Sequence, residues 1–419
     1  MQSWRSYLKW LKPGLGVKRW LLFPVLGIGL LSLGMAIALR ALYPLPQFFY
    51  FLTLQFLPRG LRASVILIVG ICAIIYGFRG LYHAILEPFL VGAAQSIPEV
   101  IYDHRRRGRG PKIVVMGGGN GQAASLRGLK AFTSNLTAIV TVADDGGSSG
   151  RLRRDIGILP PGDFRNCIAA LANDESLVTR LFRYRFAGGQ DLRGHSFGNL
   201  FITAMAGVTG SFDSALRESS EVLAVQGQVV PSTLETVTLC ADIARKDGTP
   251  VRVCGESEIP KVNGRILRVT LDPADPSAYP GAIQAILEAE LIVIGPGSLY
   301  TSLLPNLLVP KIVEALKAAP ALKVYVCNVA TQPGETDHYT AEAHVNALEQ
   351  HLGKNIIDIV LVNSQIPRGK SCGDGIEWVK PDIAAYSNQQ VVYADLLDEM
   401  QAGHHDSQKL AGELVAMLR

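Results

Sequence analysis

The sequence has no CxxC pair, no Gly-Lys-Ser/Thr step behind a glycine run, no internal repeat and no low-complexity tract. Its six cysteines, Cys72, Cys167, Cys240, Cys254, Cys327 and Cys372, stand singly. That pattern excludes a zinc ribbon and reads as reduced thiols rather than a disulfide framework. The missing lysine excludes a P-loop. Charge is scarce too: 18% of residues are charged and the net charge is +4. Such a balance gives no reason to expect a nucleic-acid partner, which needs a concentrated basic face.

What is abundant is hydrophobicity, 48% of 419 residues, unevenly spread. Trp20 to Leu39 carries no charge over a length that suits a membrane helix. Ser64 to Phe78 is as apolar and extends to Leu86 if Arg79 snorkels to the interface. The expectation is a membrane hairpin region over 1–102 with spans at about 20–39 and 63–86. Arg5, Lys9, Lys12, Lys18 and Arg19 precede the first span, against Arg40, Arg59 and Arg62 in the loop. The positive-inside rule then puts both termini in the cytoplasm, with the chain in the inner membrane. A cleaved signal peptide fits less well, because the apolar core is long and a second span follows. A basic linker covers 103–111. Its Arg105–Arg109 cluster reads as a solvated hinge or a contact to anionic headgroups.

From Lys112 to the end the pattern repeats strand, loop, helix. "KIVVMGGGNG", "LTAIVTVADDGG", "ELIVIGPGSLYTS", "LKVYVCNVATQPGE" and "IIDIVLVNSQIP" are short apolar runs ending in polar or glycine-rich residues. The fold class is α/β with a mostly parallel sheet covered on both faces. Ligands bind at the carboxyl ends of such strands, so the strand-end loops are the candidate site.

Gly117, Gly118, Gly119, Asn120 and Gly121 follow the first strand. They allow close backbone approach to a phosphate at the next helix start. Gln122 stands where a dinucleotide fingerprint needs its third glycine, so an ordinary NAD site is not expected. Asp144 and Asp145 end the second strand, ahead of Gly146, Gly147, Ser148 and Ser149. A carboxylate pair there can hold Mg²⁺ or ribose hydroxyls, with Arg151, Arg153 and Arg154 toward phosphate. If the strand geometry persists, adjacent side chains diverge and only one acid reaches the metal. Asp163 is a helix cap or a site residue; Asn166 caps or lines the same helix start, and Arg165 offers a planar fork to a phosphate. His195, Ser196 and Asn199 open an apolar helix as an anion site. Gly297 and Ser298 follow another strand, with Tyr300 either stacking on a base or lying in the core. Glu335 and Asp337 add carboxylates. His338 and His344 are too weakly patterned to be metal ligands.

"GGGNG", "TVADDGGSSGRLR", "GILPPGDFRNC", "GHSFGNLF", "VVPSTLE", "GPGSLYTSLLPNLLV" and "CNVATQPGETD", in that order, resemble the gluconeogenesis-factor (YvcK-type) family. That family is related to the 2-phospho-lactate transferases (CofD-type). The resemblance spans Lys112 to the C-terminus and implies a Rossmann-like CofD-type domain over 112–419. It implies a UDP-sugar ligand and a role in cell shape and envelope synthesis. The transferase branch implies the alternative, a Mg²⁺-dependent enzyme moving a phosphorus-containing group from a nucleotide-activated donor. Asp144 and Asp145 match the transferases' acid motif, while Gly118, Asn120, Ser196, Asn199 and Ser298 match the nucleotide-phosphate loops. The amino-terminal hundred residues depart from the simple family pattern. A homo-oligomer is compatible with all of this.

Overall fold

The computed structural model describes residues 54–86 and 105–418, apart from 173–174, 190, 263, 368–371, 374 and 384–388, with isolated positions between 28 and 51. It separates a unit ending at Arg106 from one running from Arg107 to Arg419.

In the first unit, helix α1 spans Arg59–Leu86. Its stretch Arg59–Tyr76 has a mean hydropathy of 1.8 and none of it is buried. By length and composition alone it can cross a membrane. The second expected span thus falls on one helix, while most of the first, 20–39, lies outside the described residues. Among the described residues there is one candidate span, and the expected hairpin is not shown.

The second unit is built on a seven-stranded parallel sheet. The strands are β1 Ile113–Gly117, β2 Leu136–Val140, β3 Gln228–Pro231, β7 Leu291–Ile294, β8 Leu322–Val326, β9 Ile359–Asn363 and β10 Gln390–Ala394. Their order across the sheet is β10-β9-β8-β7-β1-β2-β3. All residues of β1, β7 and β9 are buried, as a sheet covered on both faces requires. From β1 the chain moves outward to β2, whereas from β7 it moves the other way to β8. The order therefore reverses between β1 and β7, and a crevice opens at their carboxyl ends.

Helix α2, Gly119–Leu129, follows β1. Gln122, the apparent defect in the fingerprint, is fully buried near its start. Its Nε2 donates to Val115 O at 2.8 Å and Ile139 O at 2.9 Å. The amide ties β1 to β2, a task that a third glycine cannot perform. Three helices follow β2 in quick succession: α3 Gly147–Ile156, α4 Gly162–Leu171 and α5 Glu175–Arg183. Then come α6 Phe197–Thr209 and α7 Phe212–Val222. The basic stretch 103–111 is no free hinge from Arg107 onward. Arg107 Nη1 donates to Gln226 Oε1 at 2.9 Å, and Arg107 O accepts from Ser134 N at 3.0 Å.

Between β3 and β7 the chain adds a small antiparallel sheet. Its strands are β4 Thr238–Arg245, β5 Pro250–Cys254 and β6 Gly264–Asp272, in the order β5-β4-β6. Cys240 and Cys254 oppose each other across β4 and β5 and form a disulfide. This corrects the reading of six reduced thiols. The pair is separated by 14 positions, so no local motif announces it; strand register brings the two together. Cys72, Cys167, Cys327 and Cys372 are free. Denatured without reductant, the chain should therefore expose four titratable thiols, and six after reduction. Six in both conditions would exclude the pairing.

Candidate functional site

Two glycine loops meet at the switch point. A Cβ on Gly121 would stand 2.5 Å from Pro296 O, so backbone of the β7 loop lies against the start of α2. Gly119 has φ +64°, a left-handed conformation that favours glycine, and its Cβ direction is open. Gly118 caps α2 in an extended conformation, and Asn120 is exposed on the first turn. On the other side, Gly297 exchanges hydrogen bonds with the Asn328 side chain at 3.2 and 2.8 Å. Ser298 Oγ accepts from Gln332 Nε2. The predicted loops Gly117–Gly121 and Gly297–Ser298 thus form one cradle.

Tyr300 does not belong to it. It is 2% exposed, its hydroxyl lies 2.8 Å from that of Tyr339, and its ring meets Tyr339 and His351 edge-on. No face is left for a base. Apolar residues around a short π-helical turn, Leu299–Leu303, draw it into the core. His344 is likewise buried, held well below the usual histidine range at about 4 by burial.

The acid pair is split. Asp145 Oδ1 accepts from Ser257 N at 2.9 Å and so faces the loop after β5. Asp144 reaches toward Gly162 as well, where a Cβ would come within 3.2 Å of Asp144 Oδ2. Its Oδ1 accepts from Gly146 N at 2.8 Å. Asp144 meets two further carboxyls. Asp163 does not cap α4 but reaches under the glycine loop, where Gly119 N–H donates to it. Burial and then Asp144 push its carboxyl up to about 7. Glu256 hydrogen-bonds Asp144, and burial, Asp144 and Asp163 raise it to about 9. At neutral pH, Glu256 is a neutral acid donating to Asp144. The sequence does not single it out, because more than a hundred residues separate it from Asp145 and only the β4–β5 hairpin delivers it.

Among the described residues no group of three or more His, Cys, Asp or Glu is arranged to hold a metal ion. The donor chemistry still suits Mg²⁺, which takes one or two carboxylates and keeps waters. Raised carboxyls mark a place short of positive charge, and a hard cation at Asp144 would relieve it. Asp145 accepts from Ser257 N beside Glu256 and adds, least of the causes, to the raising of that carboxyl.

A polar network lines the next wall. Ser148 Oγ lies 2.9 Å from His195 Nδ1 and accepts from Asn199 Nδ2 at 3.1 Å; Ser149 Oγ accepts from the same amide at 3.4 Å. Burial and the nearby Arg151 lower the His195 pKa, favouring neutral imidazole. Ser196 caps α6 through Asn199 N, and its Oγ accepts from Arg165 Nη1 at 2.7 Å. Arg165 Nη2 donates to Asn166 Oδ1 at 2.9 Å. The other predicted arginines are elsewhere engaged: Arg151 donates to Arg193 O, Arg153 to Val237 O, and Arg154 lies on the exposed side. Glu335, raised to about 7 by burial, accepts from Thr301 Oγ1 at 3.0 Å.

The chain matches the family model of 2-phospho-L-lactate transferase CofD over residues 113–397. It is 46% identical to a putative gluconeogenesis factor from Nostoc sp., across 98% of this chain and 92% of that one. To the gluconeogenesis factor of Bacillus subtilis it is 48% identical, over 74% of this chain and 99% of that one. A crystal structure of a UPF0052-family protein from Bacillus halodurans superposes with a TM-score of 0.68 at 43% identity, covering 73% of this chain and 99% of that chain.

Proposed function

The chain belongs to the gluconeogenesis factor family, with a CofD-type domain, and from that premise we propose that it binds a nucleotide sugar, a UDP-sugar in particular, as a regulator of cell shape and envelope synthesis. The observation that carries this reading is the double glycine cradle at the β1/β7 switch point. The start of α2, where Gly119 N–H already donates to the Asp163 carboxyl, suits a diphosphate, and the open side of Gly119 leaves room for it. Helix α1 would tether the domain at the cytoplasmic face of the inner membrane. Mg²⁺ at Asp144 would supply the positive charge that bridges carboxylate and diphosphate. Asp144 would hold that cation with Asp163 and Glu256 beside it, while the start of α6 faces the opposite end of the diphosphate.

A second reading, a Mg²⁺-dependent transferase acting on a nucleotide-activated donor, draws on Asp163. A carboxyl near 7 beside a phosphate cradle is poised to take a proton from an acceptor hydroxyl.

The test is a melting experiment on the full chain with UDP-glucose, with and without Mg²⁺. A ligand at 100 times its dissociation constant adds about 2.7 kcal/mol. Asp144→Asn should remove the magnesium dependence, and Asp145→Asn should keep it. No shift with any uridine nucleotide would end the proposal. Release of the nucleotide from an activated donor, lost in Asp163→Asn, would favour the enzyme.

A further inference from the structure

Three guanidinium groups converge beyond Ser196, and among the described residues none of them has a carboxylate partner within ion-pair distance. The convergence is built by a short backbone pairing. Phe197 N donates to Tyr184 O at 2.8 Å and Phe186 N to His195 O at 3.1 Å, so Arg185 and Ser196 form an antiparallel bridge. Directly opposed residues in such a pair project to one face. The Arg185 side chain therefore rises beside that of Ser196, whose Oγ is already engaged by Arg165. Tyr184 and Phe186 project to the other face, where their rings meet edge-on at 5.3 Å. Arg183 ends α5 two residues before Arg185 and is exposed.

This arrangement works against itself while no anion is bound. Burial, then Arg185 and, more weakly, Arg183 make the Arg165 proton easier to lose, with Asp163 opposing. Arg185 is held in place by a bond from Nη1 to Gly194 O at 2.9 Å, which leaves its other donors free. An anion bound between these like charges, which neutral acceptors hold in place, would relieve their repulsion. Asp163 and, more weakly, Asp144 offset only part of this crowding at Arg165.

We propose that Arg165, Arg185 and Arg183 form a second anion subsite, which takes a carboxylate or phosphate group distinct from the nucleotide diphosphate. The proposal rests on the nucleotide-binding reading for its geometry. The anion is either part of the bound nucleotide sugar or a separate small ion, and the chemistry is the same: anionic oxygens met by charged guanidinium N–H donors.

The experiment compares UDP-glucose with UDP-glucuronate, which differ by one carboxylate, on the full-length protein and on Arg185→Gln. It adds inorganic phosphate to protein saturated with UDP-glucose. The expected result is an advantage of about tenfold for the carboxylated sugar, the size of one charged hydrogen-bonded contact, falling to about unity in Arg185→Gln. A phosphate-dependent rise in melting temperature over the UDP-glucose complex, lost in the variant, would support the same subsite with a separate anion. If UDP-glucose binds and neither anion effect depends on Arg185, the subsite is overturned and the nucleotide reading stands. Phosphate bound through Arg185 without any uridine nucleotide binding would uphold the subsite and overturn the nucleotide reading. With no binding of either, both fall.

Discussion

Glu256→Gln should raise the melting temperature of the ligand-free protein at pH 8 and leave it nearly unchanged near pH 4.5. The folded carboxyl titrates at about 9, far above the usual glutamate range. Between those pH values the folded chain holds a proton that the unfolded chain has released, so stability falls as pH rises. Asp163, at about 7, adds the same trend over a narrower window that ends near neutrality. Glutamine copies the protonated acid in both states and keeps an N–H for the bond to Asp144. It removes the pH-linked cost without unmaking the contact. Each pKa unit is worth about 1.4 kcal/mol, and solvent and coupling reduce the whole to roughly 3 kcal/mol at pH 8. That corresponds to a rise on the order of 5 °C or more. The measurement is a pair of melting curves across pH 4.5 to 9. A variant that melts lower than the parent at pH 8 would show that Glu256 is ionised and paired in the folded state.

A cluster of raised carboxyls is the kind of environment that a bound cation would relieve. It also shows how far the sequence could be read. The strands β1, β2 and β7 were legible because a sheet covered on both faces needs continuous apolar runs, and each run ended at a glycine loop. The loops were legible as strand-end turns at the switch point for the same reason. What no local pattern revealed was tertiary. Glu256 arrives on a hairpin from another sheet. Arg185 gains its role from a single bridge to Ser196. Tyr300 looked like a stacking residue because an aromatic after a glycine turn reads the same whether it faces a pocket or the core; its neighbours Leu299 and Leu303 decide the matter. The disulfide depends on register, which spacing alone does not encode. Gln122 was visible as a departure, but its meaning required seeing both strands it holds.

Gly119→Val should weaken UDP-sugar binding by a factor of about a hundred or more, with only a modest loss of stability. Two effects must be separated. The left-handed backbone at φ +64° disfavours any side chain, at roughly 1–2 kcal/mol. That strain lowers the melting temperature whether or not a ligand is present. The second effect concerns space. The Cβ direction meets nothing within 4 Å, so the added side chain points into open space. It fills the volume that a phosphate must enter to reach the N–H groups at the start of α2. Loss of close approach costs several charged hydrogen bonds at once, and about 2.7 kcal/mol already corresponds to a hundredfold. Gly119→Ala serves as the control: it carries nearly the same backbone strain with less bulk, so it should match valine in melting temperature and bind better. If both variants bind UDP-glucose as the parent does, the space above Gly119 is solvent and the cradle lies elsewhere. If both lose affinity only in proportion to their loss of stability, the loop is a tight turn and the phosphates are held at the start of α6 instead.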